Sequence, residues 1–77
     1  MDNSKLVNDL VDGYTTRQIN FVYNQMFWSG NSDDDYIHLG DTDGIDDRKR
    51  SIMRVLKLAD DSFLASDYEF VKAMTRG

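Results

Sequence analysis

The apolar residues of this chain fall into four clusters spaced three and four apart, the pattern of helices that each bury one face. Leu6, Val7, Leu10 and Val11 predict a first helix over residues 4–12. Asn3 or Asp2 can cap its start, and Gly13 stands where a left-handed residue closes a helix. Ile19, Val22, Tyr23 and Met26 predict a second helix from Thr16 to about Trp28. Its entry is the best defined in the chain. Thr15 and Gln18 form a capping box, Tyr14 and Ile19 occupy the positions of a hydrophobic staple, and Ser29-Gly30 ends the helix.

Residues 29–43 lose the periodicity and predict an ordered loop. Tyr36-Ile37-His38-Leu39 alternates weakly, but a lone strand has no partner here. A third helix is expected from about Gly44, with Asp43 as its cap, to residues 60–62. Ile45, Ile52, Val55, Leu56 and Ala59 share its face. Phe63-Leu64 reads as an apolar connector. Ser66 and Glu69 repeat the capping-box grammar for a last helix, with Ala65 against Phe70 and with Phe70, Val71 and Met74 facing inward. Lys72 and Arg76 suit the negative end of its dipole. The expected fold is all-α, a compact bundle of four short helices in one domain, 1–77, with an Asp-rich loop between the second and third.

Length sharpens this picture. A chain of 77 residues makes a single small domain, and such domains bury only about 60% of their unfolded surface. Nine aromatics and four methionines supply the bulk for a core. With no cysteine there is neither a disulfide framework nor a thiol nucleophile, which fits a reducing, cytoplasmic setting. No apolar run is long enough for a membrane span or a signal peptide.

Net charge is −5, which argues against general nucleic-acid binding. The distribution says more than the sum. Thirteen of the fourteen acids are aspartate, a residue that favours caps and turns over helix interiors. Residues 33–47 hold seven acids and no Lys or Arg, and residues 48–57 hold five bases and no acid. The halves either neutralise each other or present separate surfaces.

Several constellations can be weighed. Asp41-Thr42-Asp43-Gly44 copies the middle of an EF-hand loop, but Leu39, Asp46 and Arg50 fall where the first ligand, the apolar eighth position and the terminal glutamate belong. A looser cation site can be drawn from Asp33, Asp34, Asp35, Asp41 and Asp43; the plainer account is a solvated loop and a helix cap. His38 has neither a second histidine nor a thiol with which to build a triad or a zinc site. Arg48, Lys49, Arg50, Arg54 and Lys57 form a basic cluster, and Arg50, Arg54 and Lys57 share the outer face of the third helix. Asp46, Asp47 and Asp61 are spaced to neutralise it. A helix-turn-helix reading of the last two helices puts Asp67 and Glu69 where phosphate contacts belong. Phe21 and Trp28 lie opposite the apolar face of the second helix, either in central packing or as a stripe for a partner.

No glycine-rich phosphate loop, dinucleotide fingerprint or nucleophile with an obvious base appears, so no enzyme and no cofactor are expected. The leading expectation is an inhibitor or adaptor that offers its aspartates to a basic, nucleic-acid-binding groove of a partner protein. Its contact residues are Asp33, Asp34, Asp35, Asp41, Asp43, Asp46 and Asp47, with Trp28 and Tyr36 as apolar anchors. In size, acidity and lack of cysteine the chain is similar to the small host-takeover proteins encoded by phages, which include nucleic-acid mimics and nuclease inhibitors. That likeness is one of composition, and it implies action in a host cytoplasm. The alternative is a homo-oligomeric assembly subunit, a homodimer for instance, joined through the Phe21/Trp28 stripe. Divalent-cation binding and a helix-turn-helix are the remaining readings.

Overall fold

The computed structural model of the chain describes residues 3–76. Four helices form: α1 (Ser4–Asp12), α2 (Thr16–Phe27), α3 (Ile45–Leu56) and α4 (Asp61–Met74). They make a small all-α bundle, with no strand among the described residues. The core is built from Val7 and Val11 of α1, Tyr14 of the connecting turn, Ile19 and Val22 of α2, Ile52 and Leu56 of α3, and Leu64 and Val71 of α4. Each such aliphatic side chain contributes about 1.5–3 kcal/mol on leaving water. α2 packs against both α3 and α4, and α1 against α3.

The entry to α2 follows its local grammar. The Thr15 hydroxyl accepts from the Gln18 amide at 3.2 Å, and the Gln18 side chain accepts from the Thr15 amide at 2.8 Å. Tyr14 and Ile19 are both buried behind it.

The other helix ends depart from expectation in ways that have physical causes. Gly13 is right-handed, with φ −81°, because the α1–α2 turn continues the helical path, its amide reaching Asp9 and Leu10 carbonyls. Asn3 stands at the N-cap of α1 but makes no side-chain cap. Its amide instead donates to the Ala59 carbonyl at 2.8 Å, tying the chain start to the α3–α4 turn. Asp2, the other cap expected there, lies outside the described residues. The N-cap of α3 is Gly44 rather than Asp43. With φ 75°, Gly44 reverses the chain into the helix in a conformation that favours glycine.

The largest correction concerns α3 and α4. α3 stops at Leu56, and residues 57–60 turn through i→i+3 bonds from Leu58 to Val55 and from Ala59 to Leu56. α4 then begins five residues ahead of Ser66, capped by Asp60, whose carboxylate accepts from the Phe63 amide at 2.8 Å. The Ser66/Glu69 spacing therefore falls inside a helix, where it caps nothing. The earlier start adds Leu64 to the buried face and leaves that face narrower than expected. Leu64 and Val71 point inward, whereas Ala65 is exposed, Phe63 and Phe70 are about half exposed, and Met74 is 57% exposed. Val55 of α3 and Leu6 of α1, both expected on buried faces, also sit largely at the surface.

Candidate functional site

The loop between α2 and α3 is held from outside by three polar side chains. Asn20 and Asn24 stand four apart on α2, so their carboxamides project from one side of the helix. The Asn24 amide donates to the Ile37 carbonyl at 2.8 Å, and its oxygen accepts from the Ile37 N–H at 3.0 Å. Asn20 donates to the carbonyls of His38 (3.1 Å), Leu39 (2.8 Å) and Asp41 (2.9 Å). Arg48, in the first turns of α3, closes the arrangement. Its Nε donates to Asn20 Oδ1 at 2.7 Å, one terminal nitrogen to the Asp43 carbonyl at 2.7 Å, and the other to the Asp41 carbonyl at 2.8 Å.

Arg48 is 8% exposed, and Asn20 is fully buried. A buried guanidinium normally demands a carboxylate. Here a carboxamide oxygen and two backbone carbonyls meet it, and the surrounding aspartate side chains stay outside. Arg48, counted with the basic cluster in the sequence, thus turns inward and leaves the surface to Lys49, Arg50, Arg54 and Lys57.

The aspartates occupy two places. Asp33–Asp35 form a single turn of 3₁₀-helix. The Ser32 hydroxyl accepts from the Asp34 amide at 3.2 Å, and all three acids are exposed. Trp28 and Tyr36 flank this turn. Their rings meet edge to face at 5.1 Å, and the Trp28 indole N–H donates to the Ser32 carbonyl at 2.8 Å. Both rings remain 37% exposed. The structure therefore brings Trp28, Tyr36 and Asp33–Asp35 into one local unit.

Asp41, Asp43, Asp46 and Asp47 follow the backbone into α3. Asp41 Oδ1 accepts from the Asp43 amide at 3.0 Å, and Asp46 and Asp47 occupy the first helical turn, where the helix dipole favours negative charge. Only Asp47 is neutralised, by Arg50. Among the described residues the other six acids of this segment have no ion-pair partner. Nor does any group of three His, Cys, Asp or Glu side chains gather in a metal-binding arrangement among them.

A second group of buried polar atoms involves Tyr14 and α4. Tyr14 stacks on Tyr68 with ring centroids 5.8 Å apart. Its hydroxyl and one oxygen of Asp67 are buried without a hydrogen-bond partner, as is the side-chain oxygen Oδ1 of Asn8. Burial, reinforced by the charge of Asp67 and by Tyr68, raises the Tyr14 hydroxyl above the usual phenol range. Burial likewise raises the Asp67 carboxyl. Asp67 turns one carboxylate oxygen inward, whereas Asp60, which caps α4, stays exposed.

Asn20, Asn24 and Arg48 are the residues that sequence reasoning missed. A signal existed. Two asparagines at i and i+4 interrupt the apolar side of α2, where such residues are poor helix formers. No helix is long and apolar enough to cross a membrane among the described residues. No protein-family model matches the chain, and comparisons with curated proteins and with solved structures give no match.

Proposed function

We propose that this protein is a non-enzymatic binding module that presents its aspartates to a basic surface of a partner protein. The observation that carries the reading is the fixed backbone of residues 37–43 combined with unpaired acids along 33–46. A loop anchored through Asn20, Asn24 and Arg48 loses little further entropy on binding, and carboxylates with no ion-pair partner among the described residues keep their charge for an external one. The exposed Trp28–Tyr36 pair beside Asp33–Asp35 supplies the apolar anchor that charged contacts alone lack. A groove shaped for nucleic acid fits this chemistry best, since the aspartates then stand in for phosphates and attraction at a distance speeds encounter. An inhibitor or adaptor of the phage host-takeover kind, acting in a cytoplasm, is the setting in which such a module works.

Capture from a host lysate tests it, comparing the parent protein with Asp33→Asn/Asp34→Asn/Asp35→Asn and with Trp28→Ala. The expected partner is basic, is released as salt rises, and associates more slowly with the triple variant. Capture that resists salt and persists unchanged in both variants overturns the reading.

The alternative is an assembly subunit joined through the aromatic stripe. Part of that stripe is used within the chain, because Phe21 is half-buried and packs on Phe70 with ring centroids 6.2 Å apart. Sedimentation separates the two: a salt-resistant dimer abolished by Trp28→Ala favours assembly, and a monomer at micromolar concentration removes it.

A further inference from the structure

The outer side of α3 carries a charged feature that the aspartate surface does not use. Arg50, Arg54 and Lys57 fall within about 60° of arc at 100° per residue, away from the buried Ile52 and Leu56. With half-buried Met53 they line an open cleft of about 300 Å³. Arg50 is paired to Asp47, whereas Arg54 and Lys57 have no carboxylate within ion-pair distance among the described residues. The i,i+4 spacing of Lys57 and Asp61 does not neutralise the cleft, because α3 ends at Leu56 and Asp61 opens a different helix. Three cations against one carboxylate leave a surplus of two positive charges.

We infer that this cleft binds a phosphate dianion, free or as the monoester of a small organic molecule. The charge matches: a phosphate monoester carries about −1.5 to −2 at neutral pH. The guanidinium of Arg54 offers paired donors to its oxygens, and Lys57 adds a mobile point charge. The Met53 thioether and the aliphatic stems of the basic residues make an apolar floor for an organic portion. The volume lies at the lower end of the range for small-molecule sites. An extended polyanion fits less well. Asp46 and Asp47 precede the basic face in the chain and Asp60 and Asp61 follow it, so a nucleic-acid strand running along α3 meets like charge at both ends.

Amide chemical shifts of the intact protein, titrated with inorganic phosphate, with ribose 5-phosphate and with chloride at matched ionic strength, test this inference. Saturating shifts confined to residues 50–57 are expected with both phosphates, and none with chloride. Tighter binding of ribose 5-phosphate identifies an organic monoester as the ligand; equal affinities identify free phosphate. Arg54→Gln/Lys57→Gln, at exposed positions, should weaken binding by about ten-fold or more with an unchanged circular-dichroism spectrum, and Arg54→Lys should retain part of it. The single Gln variants serve in place of the double one if it folds poorly. Non-saturating shifts shared with chloride, or binding indifferent to these variants, overturn the inference. A short single-stranded oligonucleotide that binds tighter than ribose 5-phosphate overturns it in favour of a nucleic-acid face.

Discussion

Arg48 Nε and Asn20 Oδ1 lie 2.7 Å apart although 28 positions separate the two residues in the chain. Both also grip the same acceptor, the Asp41 carbonyl, Asn20 at 2.9 Å and Arg48 at 2.8 Å. The result is a closed triangle of α2, α3 and the loop between them. Its members depend on one another: removing either side chain strands the polar groups of the other inside the bundle, and an unpaired buried polar group costs more than the hydrogen bond that served it was worth.

Replacing Arg48 should therefore cost far more than an exposed arginine would. Arg48→Met is expected to lower stability by about 2–4 kcal/mol, since Asn20 Oδ1 and the Asp43 carbonyl lose their donors. Arg48→Lys should recover less than half, because an ammonium cannot reproduce the planar fork that spans three acceptors. Urea denaturation measures both. A loss under about 0.5 kcal/mol in the Met variant would show that the triangle does not hold the loop.

Gly44 offers a matched comparison with Gly30. Both are left-handed, at φ 75° and 80°, so alanine is strained at either. A Cβ at Gly44, however, would lie 3.3 Å from a terminal nitrogen of Arg48, and at Gly30 it would meet nothing within 4 Å. Gly30→Ala should cost about 1 kcal/mol, and Gly44→Ala more. Equal losses in thermal melts would mean that the guanidinium yields freely.

The register of α4 can be checked at two positions. Asp60→Ala should cost about 1 kcal/mol through loss of the cap. Ser66→Ala, deep in the same helix and exposed, should be neutral or stabilise by about 0.5 kcal/mol. The opposite ranking would restore the later helix start.

Asp67 predicts the direction of a pH effect. Burial raises its folded-state carboxyl above the ordinary 3.8, so the folded protein holds that proton more tightly than the unfolded chain. The contribution to stability is complete below the unfolded value and is lost as pH rises through the folded one. Asp67→Asn removes this dependence. The Tm of the variant relative to the parent should therefore climb between about pH 3 and pH 7, and a flat difference would contradict the burial of the group.

What the sequence made legible was whatever is decided within a few residues. The Thr15/Gln18 box is self-contained, and the start of α2 follows from it. The Ser66/Glu69 pair has the same letters and no capping role, because Asp60 had already begun the helix; spacing alone cannot tell a box at an entry from the same spacing in an interior. The aspartate turn was legible as loop, and the edge-to-face contact of Trp28 with Tyr36 places the two expected anchors together. Arg48 was not legible. Its acceptors are carbonyl oxygens of residues 41 and 43, which carry no sequence signature and reach it only after the loop has folded.

The grip of Asn20, Asn24 and Arg48 on the loop falls on peptide groups, which every amino acid shares. The path of residues 37–43 is thus written largely in α2 and α3, with one contribution from a loop side chain, the Asp41 carboxylate that accepts from the Asp43 amide. Such an arrangement separates scaffold from vocabulary. The exposed His38, Thr42 and Asp43 can be exchanged for other residues while the trace is kept, so the same bundle can be recoded to display a different surface.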